Sequence, residues 1–259
     1  MVYDLIVIGG GASGMMAAGR AAERNKKVLL LEKNRTLGNK LRITGGGRCN
    51  ITNAEYDVRQ LLRAYGSAEQ FLYAPFAQFG VAETFAFFES QGLPLVVQAR
   101  NRAFPHTEKA SDVCRVLEAY MRKGGVEIRT GAPVSAVELG PDGRIQSVRV
   151  GKEQFSAAAY VFATGSLSHP ETGSTGDGFH WLKKLGHTVQ DATPTIVPLA
   201  VEEAWCKKLS GTSLSFMKLS FYLEGKRAFS KTGKLLFTHF GISGPLVLNS
   251  AGKVSLRRQ

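Results

Sequence analysis

The sequence is poor in cysteine and has no long apolar run, and both absences narrow the class of protein. Three cysteines occur in 259 residues, far apart and without a CxxC pair. A disulfide framework, a dithiol redox pair and a zinc site are therefore disfavoured, and we expect no metal. No segment approaches the roughly 20 apolar residues of a membrane span, and the first apolar run contains Asp4, which is atypical of a secretory signal. We expect a cytoplasmic protein without membrane association.

Acidic residues are also scarce relative to basic ones. The chain has 21 Asp and Glu against 33 Lys and Arg, a formal net charge of +12 and a pI near 9.8. Such a balance attracts phosphates, nucleic acid or acidic partners. The basic residues are spread out, without a dense run or interleaved aromatics, which favours a solvated surface over a nucleic-acid footprint. Nucleic acid is therefore not the expected partner, although an RNA-directed protein stays open as an alternative.

A glycine motif follows the first apolar run of the chain. The predicted strand over residues 2–8 leads directly into Gly9-Gly10-Gly11-Ala12-Ser13-Gly14, and residues 15–24 read as a helix. A glycine at 9 permits a tight turn, one at 11 lets backbone approach a pyrophosphate, and one at 14 lets the helix pack against the strand. The pattern predicts a phosphate site at the start of the helix, where unpaired N–H groups and the helix dipole favour negative charge.

A second predicted strand strengthens this interpretation. Residues 28–31 are all apolar and end in Glu32, eighteen residues after Gly14. An acid at this place can accept hydrogen bonds from adenosine ribose hydroxyls. Strand, glycines, helix and acid together indicate a site for an adenine dinucleotide rather than an ordinary glycine-rich turn.

Residues 40–53 form a second glycine-rich segment, and residues 36–53 show neither strand nor helix periodicity. Three consecutive glycines, Gly45, Gly46 and Gly47, cost backbone entropy, which makes sense where N–H groups pack against a flat ring or a phosphate. Lys40 and Arg48 add positive charge beside them. Such donors and charges stabilise a cofactor that becomes anionic on reduction, as a flavin does. A solvent-exposed hinge is the alternative interpretation.

The middle of the chain reads as helices that pack around an apolar core. Phenylalanines recur at helical spacings over residues 71–88, and we interpret this stripe as core rather than as a cofactor site. Residues 107–123 predict an amphipathic helix that ends at two glycines. A strand over residues 126–129 follows.

The segment from residue 134 to residue 185 reads as strands followed by a helix. Residues 134–139 and 145–150 predict a hairpin. The predicted strand over residues 159–163 leads to Gly173-Ser174-Thr175-Gly176-Asp177-Gly178, and a helix is predicted over residues 179–185. Beyond residue 190, short β-like runs separated by turns predict a second, β-rich domain. We therefore expect domains at residues 1–190 and 191–259.

Together these motifs resemble the flavoproteins described as BaiN-like or aminoacetone-oxidase-like NAD(P)/FAD-dependent oxidoreductases. The run Thr-Gly-Gly-Gly-Arg-Cys-Asn at residues 44–50 is the most specific mark, and the resemblance covers essentially the whole chain. It implies non-covalent FAD in an α/β, doubly wound domain of the Rossmann-like, glutathione-reductase type. It also implies an inserted β-rich domain that closes over the flavin, of which residues 191–259 would be the start.

The resemblance also implies which residues bind FAD. Thr175, Gly176 and Asp177 correspond to a loop that starts a helix beside FAD in fumarate-reductase-like flavoproteins. Val134 would border the adenine, and Ala163, Thr164 and Gly165 would cross under the cofactor. The residues implied at the pyrophosphate and ribose are Gly9, Gly11, Ala12, Ser13, Gly14, Glu32 and Lys33, and those implied near the flavin or its pyrophosphate are Lys40, Thr44, Gly45, Gly46, Gly47, Arg48, Cys49 and Asn50.

The expected chemistry is hydride transfer through FAD. NAD(P)H or a small organic substrate would supply the hydride, and an unsaturated or carbonyl small molecule, or dioxygen, would receive it. His239 is a candidate proton shuttle and Cys49 a candidate thiol at the flavin, each weighed against a structural role, with His169 a weaker candidate. No second GxGxxG occurs downstream of Gly14, so a dedicated nicotinamide site is not predicted.

The chain differs from the family pattern at its C-terminal end. Family members are longer and return to the first domain with a strand and a glycine-rich helix start, and residues 257–259 stop short of that return. We therefore expect a truncated form with weakened flavin retention. A non-catalytic remnant with weak FAD binding is the second alternative.

Overall fold

The computed structural model describes residues 2–192 and 195–255. The C-terminal residues 257–259, on which the expected truncation depends, lie outside the described residues. The chain divides into two compact units, Met1–Val189 and Gln190–Gln259.

Unit 1 is an α/β fold. The strands of unit 1 form where apolar residues occur in short runs. Its helices form from amphipathic segments and cover the strands with their apolar sides. Its strands are β1 Val2–Ile8, β2 Val28–Leu31, β3 Thr52–Asn53, β4 Leu95–Gln98, β5 Arg102–Pro105, β6 Glu127–Arg129, β7 Val134–Leu139, β8 Ile145–Val150 and β9 Glu153–Phe162. Its helices are α1 Ala12–Glu23, α2 Asn39–Ile43, α3 Val58–Leu62, α4 Glu69–Gln78, α5 Val81–Ser90, α6 Ala110–Lys123 and α7 Asp177–Lys184.

The central sheet of unit 1 has the strand order β6-β2-β1-β9-β8-β7. The first four strands are parallel neighbours, and β8 and β7 continue the sheet antiparallel. A separate antiparallel sheet has the order β3-β5-β4. The chain leaves β1 toward β2 on one side and returns as β9 on the other, so a topological switch point lies at the end of β1. This architecture confirms the predicted α/β Rossmann-type class.

Apolar residues of β1 and β2 are buried on both faces of the sheet. Val7 and Leu30 pack with the residues of α1 and α6, whereas Ile6 and Leu29 pack with a second cluster that includes Trp181. Because side chains alternate along a strand, a four-residue apolar run such as Val28–Leu31 supplies both cores at once.

The structure corrects two expectations for the middle of the chain. The phenylalanine stripe is not core throughout, because Phe71 is 80% exposed and Phe79 40% exposed, while Phe88 is buried. Helix α4 has no buried residue. The segment 36–53, expected to lack periodic structure, contains α2, a 3-10 turn and the short strand β3.

Unit 2 is built on an antiparallel sheet with the order β10-β13-β12-β11. Two helices contribute to its core, in which Leu235 and Phe237 of the sheet pack with Leu246 and Val247. Its elements are β10 Leu199–Ala200, α8 Ala204–Lys208, β11 Ser213–Leu223, β12 Lys226–Thr238, β13 Gly241–Ser243 and α9 Pro245–Ser255. Across residues 2–192 and 195–255, no helix has the length and apolar character needed to cross a membrane.

Candidate functional site

A cavity of about 360 Å³ lies in unit 1 where β1 and β2 end and α1 begins. This is the switch point of the sheet, where open α/β folds bind their ligands. The lining residues are Ile8, Gly9, Gly10, Gly11, Ala12, Ser13, Leu31, Glu32, Lys33, Asn34, Gly38, Asn39, Lys40, Leu41, Thr44, Ala132, Val134, Ala163, Thr164, Gly165, Thr172, Gly173, Ser174, Asp177 and Trp181.

The three motif glycines meet different requirements. Gly9 has φ 109°, and a Cβ there would lie 2.4 Å from the carbonyl oxygen of Ala163. A Cβ on Gly14 would lie 1.9 Å from the carbonyl oxygen of Gly9, so close packing of α1 on β1 excludes any side chain. Gly11 has an ordinary φ of −79°, and a Cβ there would meet nothing within 4 Å. The protein's own packing therefore accounts for Gly9 and Gly14, whereas Gly11 leaves space in the cavity.

The N-terminus of α1 faces this space. Gly11 is its N-cap and provides no side-chain cap, and the first turn contains no acidic residue. The first backbone N–H groups of a helix have no intrahelical partner, and the helix dipole adds partial positive charge there. Ala12 and Ser13 of this turn line the cavity. The arrangement can bind an anion such as a pyrophosphate.

Glu32 places a buried carboxylate at the end of β2. Its Oε2 accepts a hydrogen bond from the backbone N–H of Gly10 at 2.6 Å. Its Oε1 accepts from the backbone N–H and the side-chain Nδ2 of Asn34, at 2.8 and 2.7 Å. A carboxylate has about four lone-pair sites, so these bonds fix the group and still leave it able to accept from a ligand hydroxyl.

Two side chains after Glu32 connect β2 to the start of α7, and we call this set of contacts the clasp. Lys33 Nζ donates to Thr175 Oγ1 at 2.6 Å and pairs with Asp177 Oδ2 at 2.8 Å. Asn34 Nδ2 donates to the carbonyl oxygen of Thr172 at 3.0 Å. Partial burial alone would raise the pKa of Asp177, but the hydrogen bonds from Lys33 and Thr175 lower it overall. The clasp thus keeps Asp177 ionised at the cavity wall.

Lys40 is the second cation on the cavity wall. Burial lowers the pKa of its ammonium group, and the charge of Glu171 partly opposes that shift. Its Nζ donates to Ser168 Oγ at 3.2 Å, in the loop that follows β9. A partly desolvated ammonium gains most from a negatively charged ligand, so this position suits a phosphate or an anionic ring.

The three consecutive glycines do not line the cavity, although Thr44 before them does. Gly45, Gly46 and Gly47 have φ values of 58°, 68° and 85°, in the left-handed region that favours glycine. The left-handed backbone alone requires glycine at these three positions, and their contact with a flat ring stays a prediction.

Arg48 and Asn50 make contacts with the protein instead of the cavity. Arg48 Nη1 lies 3.3 Å from both Gln98 Oε1 and Glu108 Oε1, and its guanidinium stacks over Phe104 at 4.4 Å. The amide of Asn50, oriented to donate, lies 3.2 Å from the carbonyl oxygens of Ala103 and Thr52. The positive charge of Arg48 is thus directed toward β4 and the segment after β5, and neither residue borders the cavity.

Cys49, a predicted catalytic candidate, is buried in the core of unit 1. It is 1% exposed, packs in the cluster that contains Val7 and Met15, and does not line the cavity. Burial raises the pKa of its thiol, with a hydrogen bond to Thr44 acting against that shift. Burial also raises the pKa of Cys114 to about 11. The thiol therefore lies away from the cavity, and a catalytic role for Cys49 stays a prediction.

We expect Cys49 and Cys114 to react slowly with a water-soluble aromatic disulfide in the folded protein at pH 8. With a pKa of about 11, roughly one Cys114 thiol in a thousand is ionised at that pH, and burial, which also raises the pKa of Cys49, limits access to both thiols. Labelling should be on the order of 100-fold slower than in denaturant. The Cys49→Ala and Cys114→Ala variants show which labelling rate belongs to which cysteine. Rapid native labelling of Cys49 would contradict its burial.

Two walls complete the cavity. Ala163, Thr164 and Gly165 pass beneath it, where a Cβ on Gly178 would lie 2.2 Å from Thr164 Oγ1. Val134 and Trp181 form an apolar end. Of the predicted cofactor residues, those that line the cavity are Gly9, Gly11, Ala12, Ser13, Glu32, Lys33, Lys40, Thr44, Val134, Ala163, Thr164, Gly165 and Asp177, and those that do not are Gly14, Gly45, Gly46, Gly47, Arg48, Cys49, Asn50, Thr175 and Gly176.

The sequence analysis missed several residues of the cavity. Asn34 donates hydrogen bonds to Glu32 and to the carbonyl oxygen of Thr172. In the sequence, only its position two residues after Glu32 points to this role. Trp181 lies four residues after Asp177, so both face the cavity from one side of α7. The other missed polar residues are Asn39, Thr172 and Ser174.

His239, the other catalytic candidate, belongs to unit 2. It lies in the turn between β12 and β13, is exposed, and its ring contacts Phe240 edge-on at 4.9 Å. Its role as a proton shuttle stays a prediction.

The residues of the cavity fit an adenine dinucleotide, and FAD in particular. The α1 N-terminus and Lys40 provide positive charge for a pyrophosphate, Glu32 provides an acceptor for ribose hydroxyls, and Val134 with Trp181 provides an apolar surface for a ring. A Cβ on Gly11 would meet no atom within 4 Å, so space for a ligand is present beside the start of α1. Among the described residues, no three His, Cys, Asp or Glu side chains cluster to hold a metal ion.

Residues 3–257 match the model of a family described as HI0933-like protein Rossmann domain. The chain is 32% identical over 240 residues to 3-dehydro-bile acid delta(4,6)-reductase of Clostridium scindens, covering 92% of this chain and 57% of that protein. It is 30% identical over 247 residues to ribosomal RNA dihydrouridine synthase of Haemophilus influenzae, covering 94% and 59%. The Escherichia coli protein of the same name is 27% identical over 249 residues, covering 95% and 60%. The chain thus spans less than two thirds of the length of these relatives.

Solved flavoenzyme structures share the fold. A flavocytochrome c3 fumarate reductase in its open conformation superposes with a TM-score of 0.55 at 18% identity, covering 83% of this chain and 47% of that one. A 3-ketosteroid-delta4-(5alpha)-dehydrogenase from Rhodococcus jostii RHA1 has a TM-score of 0.51 at 18% identity, covering 64% and 46%. The family match, together with the cavity, confirms the Rossmann-type fold and FAD as the cofactor.

Proposed function

Because the chain belongs to the HI0933-like protein Rossmann domain family, we propose that it is an FAD-dependent reductase of electron-poor ring double bonds. The observation that carries the proposal is that an uncapped helix start, a cation, a buried carboxylate and an apolar end occur together in one cavity. That combination suits a dinucleotide with one reactive ring. Family membership makes the dinucleotide FAD rather than a nicotinamide cofactor alone.

Each part of the cavity has one task in the proposed mechanism. The N–H groups at the start of α1 bind the pyrophosphate in the space that Gly11 leaves, and Lys40 adds a positive charge. Glu32 accepts from the ribose and is held in place by Gly10 and Asn34. FAD, when bound, supplies hydride transfer at its ring system. The protein therefore binds and orients the cofactor and balances its charge.

The names of two relatives support the class of acceptor. A 3-dehydro-bile acid delta(4,6)-reductase and a ribosomal RNA dihydrouridine synthase are both named for adding hydrogen to a ring double bond. In a 3-dehydro delta(4,6) steroid and in uracil, that double bond is conjugated with a ring carbonyl. Conjugation makes the distal carbon electrophilic, so hydride adds there and a proton follows on the neighbouring carbon. We propose this shared chemistry for the present chain, with a small cyclic enone or a uracil ring as acceptor.

We propose NAD(P)H as the electron donor. The chain has no second GxGxxG after Gly14, so the nicotinamide cofactor would bind without a glycine motif of its own. A small organic donor with dioxygen as acceptor is the competing assignment. Anaerobic reduction of the flavin by NADH or NADPH separates the two.

The full 259-residue chain, freed of cofactor and titrated with FAD, tests the proposal. We expect saturable binding seen as a shift in flavin absorbance and fluorescence, and a rise in melting temperature with FAD concentration. Under anaerobic conditions with NAD(P)H, an acceptor with the conjugated double bond should gain two hydrogen atoms, detected by mass spectrometry. The same mixture without protein is the control. A folded chain that fails to bind FAD would instead support the remnant alternative.

A further inference from the structure

The sheet of unit 2 has one covered face and one exposed polar face. On the covered side, Lys231 Nζ donates to the carbonyl oxygen of Asn249 in α9 at 2.6 Å, and Gly233 packs against Leu246. Strand register places Lys218 opposite Thr232 and Ser220 opposite Ser230, and Lys234 follows Thr232 on the same side. We call this set the polar face: Lys218, Ser220, Ser230, Thr232 and Lys234.

Two exposed aromatic residues lie at irregularities in the same strand pair. The register of β11 against β12 shifts between Leu214 and Met217 and again between Phe221 and Tyr222. Phe216, at the first shift, is 89% exposed and has φ 57°, a strained value for a large side chain. Tyr222, at the second, is 64% exposed. Bulges commonly re-aim a side chain, and here both present an aromatic ring to solvent.

The charge of this part of the chain is strongly one-sided. Residues 204–255 contain eight lysines and arginines and one acid, Glu224. None of the eight forms an ion pair with any residue that the structure describes. By contrast, five arginines of unit 1 pair with Glu side chains, in the pairs Arg20–Glu23, Arg42–Glu118, Arg48–Glu108, Arg129–Glu127 and Arg149–Glu138. Lys218 and Lys234 of the polar face, and Arg227 opposite Tyr222, are exposed and carry positive charge that no ion pair among the described residues neutralises, so this charge can attract a polyanion.

We propose that this surface of unit 2, the polar face with Phe216, Tyr222 and Arg227, binds single-stranded RNA. Lysine and arginine side chains track the phosphates, and exposed aromatic rings stack on unpaired bases, which is how sheet surfaces bind single strands. Phe216 and Tyr222 are six residues apart in β11, on the order of 20 Å, enough to contact separate bases of one strand. The inference rests on the proposed function, because uracil in RNA carries the conjugated ring double bond that this function reduces.

The charge component is tested by RNA binding of the full chain without any reductant. The probe is a fluorescein-labelled, uridine-rich single-stranded RNA, followed by anisotropy at moderate salt. We expect Lys218→Glu combined with Lys234→Glu to weaken binding at least about 10-fold and to reduce its salt dependence. The matched control is Lys26→Glu with Lys152→Glu, which makes the same charge change on exposed residues of unit 1 and should alter binding less than about 2-fold.

The stacking component is tested at Phe216. Phe216→Ala removes the ring but keeps a Cβ at the strained position, so we expect at least about 5-fold weaker RNA binding with an unchanged melting temperature. Phe216→Tyr keeps the ring and should restore binding. Circular dichroism of each variant checks that β11 and β12 still form. Equal RNA affinity of the Ala and Tyr variants would overturn the stacking role.

Three results would overturn the proposal as a whole. The first is that the protein does not bind RNA at moderate salt. The second is that the control pair of substitutions lowers RNA affinity as much as the polar-face pair. The third is that the protein binds phosphatidylserine vesicles but not RNA. Reduction of a free cyclic enone is measured separately. If that reduction fails while the polar-face variants lose RNA binding as expected, the proposed function is wrong and the RNA surface stands. If reduction succeeds and RNA binding is absent, only the RNA surface falls.

Discussion

Replacing Glu32 with alanine is expected to abolish FAD binding and to destabilise unit 1 by about 3 kcal/mol. The buried carboxylate accepts from Gly10 N, Asn34 N and Asn34 Nδ2, and hydrogen bonds to a charged group contribute about 1.5–3 kcal/mol each before solvent from the cavity compensates the loss. The ribose acceptor disappears with the same atoms. Urea unfolding of the apoprotein and FAD titration measure the two effects separately.

Two further variants make this result specific. Glu32→Gln keeps the shape and one acceptor oxygen, so it should lose less stability than alanine while still weakening FAD binding. Glu89→Ala removes an exposed carboxylate from α5 and should change neither quantity measurably. If Glu32→Ala bound FAD as tightly as the unmodified protein, Glu32 would have only a structural role.

Alanine substitutions in the glycine motif are expected to give the second large effect: one lowers stability, and the other lowers FAD affinity. Gly14→Ala should cost at least about 3 kcal/mol or prevent folding, because its Cβ would overlap the backbone oxygen of Gly9 at 1.9 Å. Gly11→Ala should change stability by no more than about 1 kcal/mol, since its φ of −79° suits any residue and its Cβ meets no protein atom. It should nevertheless weaken FAD binding at least about tenfold, or 1.4 kcal/mol, because the methyl group takes up space at the pyrophosphate position.

The comparison of these two variants separates folding from binding within one motif. Chemical denaturation gives the stability of each apoprotein, and FAD titration of those that fold gives the affinity. A Gly11→Ala variant with unchanged FAD affinity would place the pyrophosphate elsewhere in the cavity. A stable Gly14→Ala variant would contradict the close packing of α1 on β1.

The first part of the cavity could be predicted from sequence because local contacts determine it. Gly9, Gly11 and Glu32, which line the cavity, fall within one strand–helix–strand unit, in which spacing along the chain fixes position in space. Asn34, Thr172 and Trp181 could not be found in this way. Their part in the cavity depends on the clasp, which joins positions about 140 residues apart.

The second glycine segment shows why a motif does not reveal what it contacts. Gly45–Gly47 needs glycine for its left-handed backbone whether or not a ring lies nearby. The sequence shows the charge of Arg48 but not its protein acceptors Glu108 and Gln98, which are distant along the chain. Periodicity likewise predicts the helix around Phe71 but not its exposure, because exposure depends on which neighbours α4 meets.

The strand order of unit 1 also determines when, during synthesis of the chain, the cavity becomes complete. β1 pairs with β2, and also with β9 from Val2 opposite Ser156 to Ile8 opposite Phe162. At about 5–20 residues per second, a ribosome needs roughly 8 to 30 seconds to make the chain that separates these partners. Asp177 and Trp181 are synthesised later still, so no nascent chain shorter than most of unit 1 contains a whole cavity. The full set of lining residues therefore exists only after most of unit 1 has been synthesised.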